Sequence, residues 1–65
     1  MTPQALAFLQ LLAGYGGVAL NSFPMWADHA AGIATSLSEG WIVDAAGHYR
    51  MTMAGEDALY AGLTA

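Results

Sequence analysis

The sequence predicts a single α+β domain of residues 1–65, with a helical part over 1–40 and a β-hairpin followed by a short helix over 41–65. Three observations predict it. Two stretches carry apolar residues at helical spacing behind Ser, Thr or Asn with a nearby Pro. One stretch, Trp41 to Met51, holds two β-prone runs around a short Asp- and Gly-containing loop. A chain of 65 residues has room for one hydrophobic core and no second domain.

Thr2-Pro3 starts the first helix, with Thr as the N-cap and Pro at the first helical position. Leu6, Leu9 and Ala13 recur on one face, widened by Phe8, Leu11 and Leu12. Gly14 ends it, because glycine takes the left-handed conformation just past a helix. Val18-Ala19-Leu20 reads equally as an extended piece or a helical turn. Asn21 or Ser22 is placed to cap the next helix, with Pro24 in its first turn. Trp26, Ala30, Ile33 and Leu37 form a stripe at i, i+4, i+7 and i+11. Gly32 lowers helix stability by roughly 1 kcal/mol against Ala, so residues 24–39 read either as one helix or as two short ones divided at Gly32, with Gly40 as the final stop.

Asp44 and Gly47 fit a type I turn with a G1 bulge, Asp44 bonding the turn's backbone N–H groups. Alternation then puts Trp41 and Val43 on the core side, facing Tyr49 and Met51. Thr52 caps the last helix, Met53 to about Ala61, and Glu56 and Asp57 lie where negative charge suits the helix dipole. Gly62 is expected to end it.

Composition narrows function. Asp28, Glu39, Asp44, Glu56 and Asp57 oppose Arg50 alone, and lysine is absent, for a net charge of −4. Phosphate binding normally draws on several Lys or Arg, so direct nucleic-acid binding is disfavoured. There are no cysteines, hence neither disulfides nor thiolate metal sites. His29, His48, Asp28 and Asp44 match no metal-binding spacing. The serines lack a nucleophile setting, and Asp28-His29 point in different directions on a helix. The Gly14–Gly17 cluster follows a helix, where a dinucleotide fingerprint would follow a strand. No enzyme activity, cofactor or metal is therefore expected. The uncharged stretch before Asp28 has no basic n-region and is broken by glycines, so a buried helix is expected in preference to a membrane segment.

The aromatics exceed what so small a core hides, and exposed Trp and Tyr anchor interfaces. Trp26 and Trp41, with the five carboxylates, are the candidate partner-binding residues. Arg50 is expected to pair with Asp44 or Glu56.

The segment LSEGWIVDAAGHYRMTMAGEDAL (37–59) resembles the part of winged-helix domains where a recognition helix ends at a Gly and a hydrophobic strand leads into the wing. The return strand then ends at a Thr-x-x-Gly helix start. Here these are Leu37, Gly40, Trp41-Ile42-Val43, Tyr49-Arg50-Met51 and Thr52-Met53-Ala54-Gly55. The resemblance implies a DNA-binding or dimerisation module of a small transcriptional regulator, with the apolar first helix as an oligomer interface. DNA-binding members carry basic residues on the recognition helix and wing. Residues 27–38 have none, and the wing offers only Asp44, His48 and Arg50.

Size, acidity and lack of cysteine also resemble phage-encoded anti-CRISPR inhibitors. That resemblance implies a non-catalytic protein in the bacterial host cytoplasm. Its acidic surface, like that of a DNA mimic, would meet a basic groove of a nucleic-acid-binding complex such as a CRISPR effector. No contact with nucleic acid or membrane is expected.

Overall fold

A computed structural model describes all 65 residues. Its elements run α1 (Pro3–Gly14), β1 (Val18–Leu20), a 3-10 helix (Pro24–His29), α2 (Ala30–Ser38), β2 (Ile42–Ala45), β3 (His48–Met51) and α3 (Met53–Thr64). The α+β class stands, but the sheet has three antiparallel strands in the order β1-β3-β2. The 1–40 part is thus not wholly helical. Val18-Ala19-Leu20 becomes a strand because β3 offers it a free edge: Val18 pairs with Arg50, Ala19 with Tyr49 and Leu20 with His48.

Both expected threonine caps form. The Thr2 hydroxyl accepts from the Ala5 N–H at 3.2 Å and the Thr52 hydroxyl from the Gly55 N–H at 3.1 Å. α1 ends at Gly14 as expected, but Gly14 is its last helical residue and the left-handed glycines are Gly16 (φ 80°) and Gly17 (φ 83°); the Leu12 carbonyl accepts from the Tyr15 and Gly17 N–H groups. The buried face of α1 is Ala5, Phe8, Leu9 and Leu12, while Ala13 is exposed, so the stripe is rotated from the expected one. Phe8, Leu9 and Leu12 thus lie inside the domain, while Leu6 and Leu11 stay half-buried.

The second helical stretch breaks at His29–Ala30, and not at Gly32. Gly32 serves packing instead. A Cβ there would strike the Gln4 carbonyl, so the glycine lets α2 cross closely over α1. Neither Asn21 nor Ser22 caps this stretch; it opens at Phe23 with no side-chain bond. Of the expected stripe, Trp26 and Ile33 are buried but Ala30 and Leu37 are exposed, because the 3-10 turn shifts the register. Gly40 (φ 75°) ends α2 in a Schellman arrangement, with the Trp41 N–H on the Ser36 carbonyl and the Gly40 N–H on that of Leu37.

The hairpin differs from expectation in three respects. Ala45 pairs with His48, so the loop is only Ala46-Gly47. Both have positive φ (53° and 75°), which makes a type I′ turn whose twist matches the strands better than a type I turn does. The inward residue of β2 is accordingly Ile42, 1% exposed, whereas Val43 faces outward at 42%. Finally, Asp44 does not bond the turn; it accepts from the Asn21 amide at 2.7 Å.

Phe8 and Trp26 lie at the centre of the core with their rings 5.2 Å apart and edge-to-face, and Tyr49 meets both at 5.9 and 6.0 Å. The Trp26 indole N–H donates to the Leu20 carbonyl at 2.7 Å, which satisfies its polar end and ties the 3-10 helix to β1. α3 runs through Gly62 to Thr64. It contributes one fully buried residue, Gly55, where a Cβ would strike the Trp41 carbonyl. No helix is long and apolar enough to cross a membrane.

Candidate functional site

Helix and strand ends, not one shared face, position the five carboxylates. Asp28 sits near the end of the 3-10 helix, and Glu39 caps the far end of α2. The nine residues of α2, about 14 Å of helix axis, lie between them. Glu56 and Asp57 occupy the early turns of α3. Glu39 is tied to that same helix start, since the Thr52 hydroxyl donates to the Gly40 carbonyl at 2.7 Å. The backbone beside Glu39 therefore lies at the start of α3, the helix that carries Glu56 and Asp57. Asp44 lies on the hairpin beside Asn21, apart from them. All five side chains are exposed, and only Asp44 enters a side-chain hydrogen bond.

The two tryptophans part company. Trp26 is 4% exposed and belongs to the core, so it offers no contact surface. Trp41 is half-buried between the end of α2 and α3 and retains an exposed edge. Exposed aromatic surface comes from Tyr60 at 72% and Tyr15 at 48%. Tyr15 packs on Phe23, rings 5.7 Å apart. Of Leu59 and Leu63, spaced i and i+4 on α3, only Leu59 is partly covered by the core.

Arg50 does not pair with Asp44. Asp44 stands opposite Tyr49 and Arg50 opposite Val43, so the two charges leave opposite faces of the sheet. His29 packs edge-on against Trp26, ring centres 6.1 Å apart, and the His48 ring lies 2.9 Å from the Ala46 carbonyl at the turn. The first imidazole thus extends the aromatic core and the second braces the hairpin loop.

Two apolar grooves flank α3. One, of about 350 Å³, lies between α3 and the end of α1, lined by Ala13, Gly16, Gly17, Met51, Leu59 and Leu63, with Glu56 and Tyr60 at its rim. The other lies between α3 and the chain start, against Leu6, Trp41 and Gly62. The exposed side of α2 holds Ala30, Ala31, Ala34, Leu37 and Ser38, without a charge.

In comparisons with protein families, curated proteins and solved structures, the chain matches none.

Proposed function

We propose that this chain is a non-catalytic binding protein. It offers carboxylates to a basic, nucleic-acid-handling complex, in the manner of an anti-CRISPR acting on a CRISPR effector in the bacterial cytoplasm. One observation carries the reading: Asp28, Glu39, Glu56 and Asp57 are all exposed and enter no side-chain hydrogen bond, and a single arginine opposes five acids. Acids not engaged within the fold are available to steer and hold a cationic partner. The element order supports a winged-helix-like shape. On such a shape, the bare side of α2 lacks the cations that DNA binding draws on.

The acids do not form one continuous patch. A partner contact at the end of α2 and the start of α3, the segments that carry Glu39, Glu56 and Asp57, is the most economical arrangement. The test is inhibition and binding of purified CRISPR effector complexes by the wild-type chain and by a Glu39→Lys, Glu56→Lys, Asp57→Lys triple variant. The variant should lose binding. Unchanged binding would exclude the electrostatic mechanism.

The runner-up, a winged-helix DNA-binding or dimerisation module, draws on Arg50 and His48 lying together on the hairpin. A low-salt gel shift separates the two readings. DNA binding that weakens steeply with added salt favours the regulator.

A further inference from the structure

An antiparallel sheet with one open face normally alternates apolar inward and polar outward. This sheet does not. By register, Ala19, Ile42, Tyr49 and Met51 face the helices, with Asp44 at the margin of that side. The other face carries Val18, Leu20, Val43, Ala45, His48 and Arg50. Four of these six are aliphatic or Ala, and Leu20 and Val43 are 43% and 42% exposed. Leu20, Val43, Ala45 and Arg50 are exposed, Val18 and His48 are half-buried, and the only arginine stands among them.

The outward side of α3 is a second uncovered apolar surface. Met53, Tyr60 and Leu63 are 81%, 72% and 56% exposed and recur at helical spacing, i, i+7 and i+10. Glu56 and Asp57 stand between them on the same helix. The two surfaces therefore have opposite signs: apolar with Arg50 on the sheet, apolar with two carboxylates on the helix.

We propose that the occupant of the sheet's outer face is α3 of a second copy of this chain, in a head-to-tail contact. Charge decides among the ways two copies can cover these surfaces. Sheet against sheet brings Arg50 to Arg50. Helix against helix brings Glu56 and Asp57 to their counterparts. Only sheet against helix places Arg50 beside carboxylates while covering apolar surface on both partners. A helix laid on an open sheet face is also an ordinary layer packing. Such a contact is heterologous: each copy keeps one free sheet face and one free α3, so assembly continues until it closes in a ring or remains open. This inference does not rest on the function proposed above.

Sedimentation velocity of the purified full chain, from low micromolar to about 1 mM, tests it. The wild type should show an average mass that rises with concentration past the dimer. Arg50→Glu and the Glu56→Arg, Asp57→Arg double variant should each be monomeric, with unchanged circular dichroism, because every substituted side chain is exposed. Mixed in equal amounts, the two variants should assemble past the dimer again. The acidic sheet of the first then matches the basic helix of the second, and their two unaltered surfaces match as in the wild type. A wild type that stays monomeric to the top concentration overturns the proposal. So does a wild type that stops at a dimer that Arg50→Glu leaves intact, which would mean helix against helix. Variants that remain monomeric when mixed also overturn it.

Discussion

Ala46 adopts a left-handed backbone (φ 53°), a conformation that places Cβ too close to the following carbonyl and costs roughly 1–2 kcal/mol for an L-residue. Asn tolerates it best among residues with a side chain, and Asn-Gly is the favoured type I′ pair. Ala46→Asn should therefore stabilise the protein by about 0.5–1 kcal/mol, seen as a higher urea midpoint at unchanged m. Gly32 shows the converse. Alanine is the better helix former, yet its methyl has no room against the Gln4 carbonyl. Gly32→Ala should lower stability by about 1–3 kcal/mol, the usual cost of overpacking. A rise in the denaturation midpoint would mean that α1 and α2 move apart easily.

Among the elements, α3 stands out. It has a firm start and a loose body: Thr52 both caps it and reaches the Gly40 carbonyl, but Gly55 is its one fully buried residue. Thr52→Ala removes a cap and a tether together, and should cost about 1–2 kcal/mol, the upper part of the range for a cap. Thr2→Ala, which removes a cap alone, should cost less. Equal losses in urea denaturation would show that the Gly40 bond contributes nothing. α3 is also the element on which two acids of the proposed partner site lie, and its exposed side is free to meet another surface. A helix held by its first turn and by half-buried Ala58, Leu59 and Gly62 keeps its other side chains for such a contact.

For the whole molecule, stability hangs on a small centre. Only 11 of 65 residues are buried, and Trp26 packs within the cluster of seven that forms the core. Removing so large a buried side chain typically costs about 3–5 kcal/mol. Since so small a core rarely supplies more than about 3–5 kcal/mol in all, Trp26→Ala should be largely unfolded at 25 °C by near-ultraviolet circular dichroism. The charge imbalance acts at this scale too. One cation against five acids leaves mainly self-repulsion, so added salt should raise the thermal midpoint by screening it. The same salt should weaken binding to a basic partner, which makes stability and affinity move in opposite directions.

What the sequence determined by itself was local: the Thr2 and Thr52 caps, the left-handed glycine stop at Gly40, the hairpin between Trp41 and Met51, and the five exposed acids. Each depends on backbone groups within a few residues, or on charge that water holds at the surface. The tertiary structure alone decided whether Val18-Ala19-Leu20 was a strand, because only β3 supplies its partners. It decided which face of β2 points inward, because a two-residue loop shifts the register by one and reverses every side chain. It turned Trp26 from a candidate contact into the core, and showed Gly32 to be a crossing point instead of a break. Those outcomes turn on contacts between residues far apart in the chain, which no local spacing records.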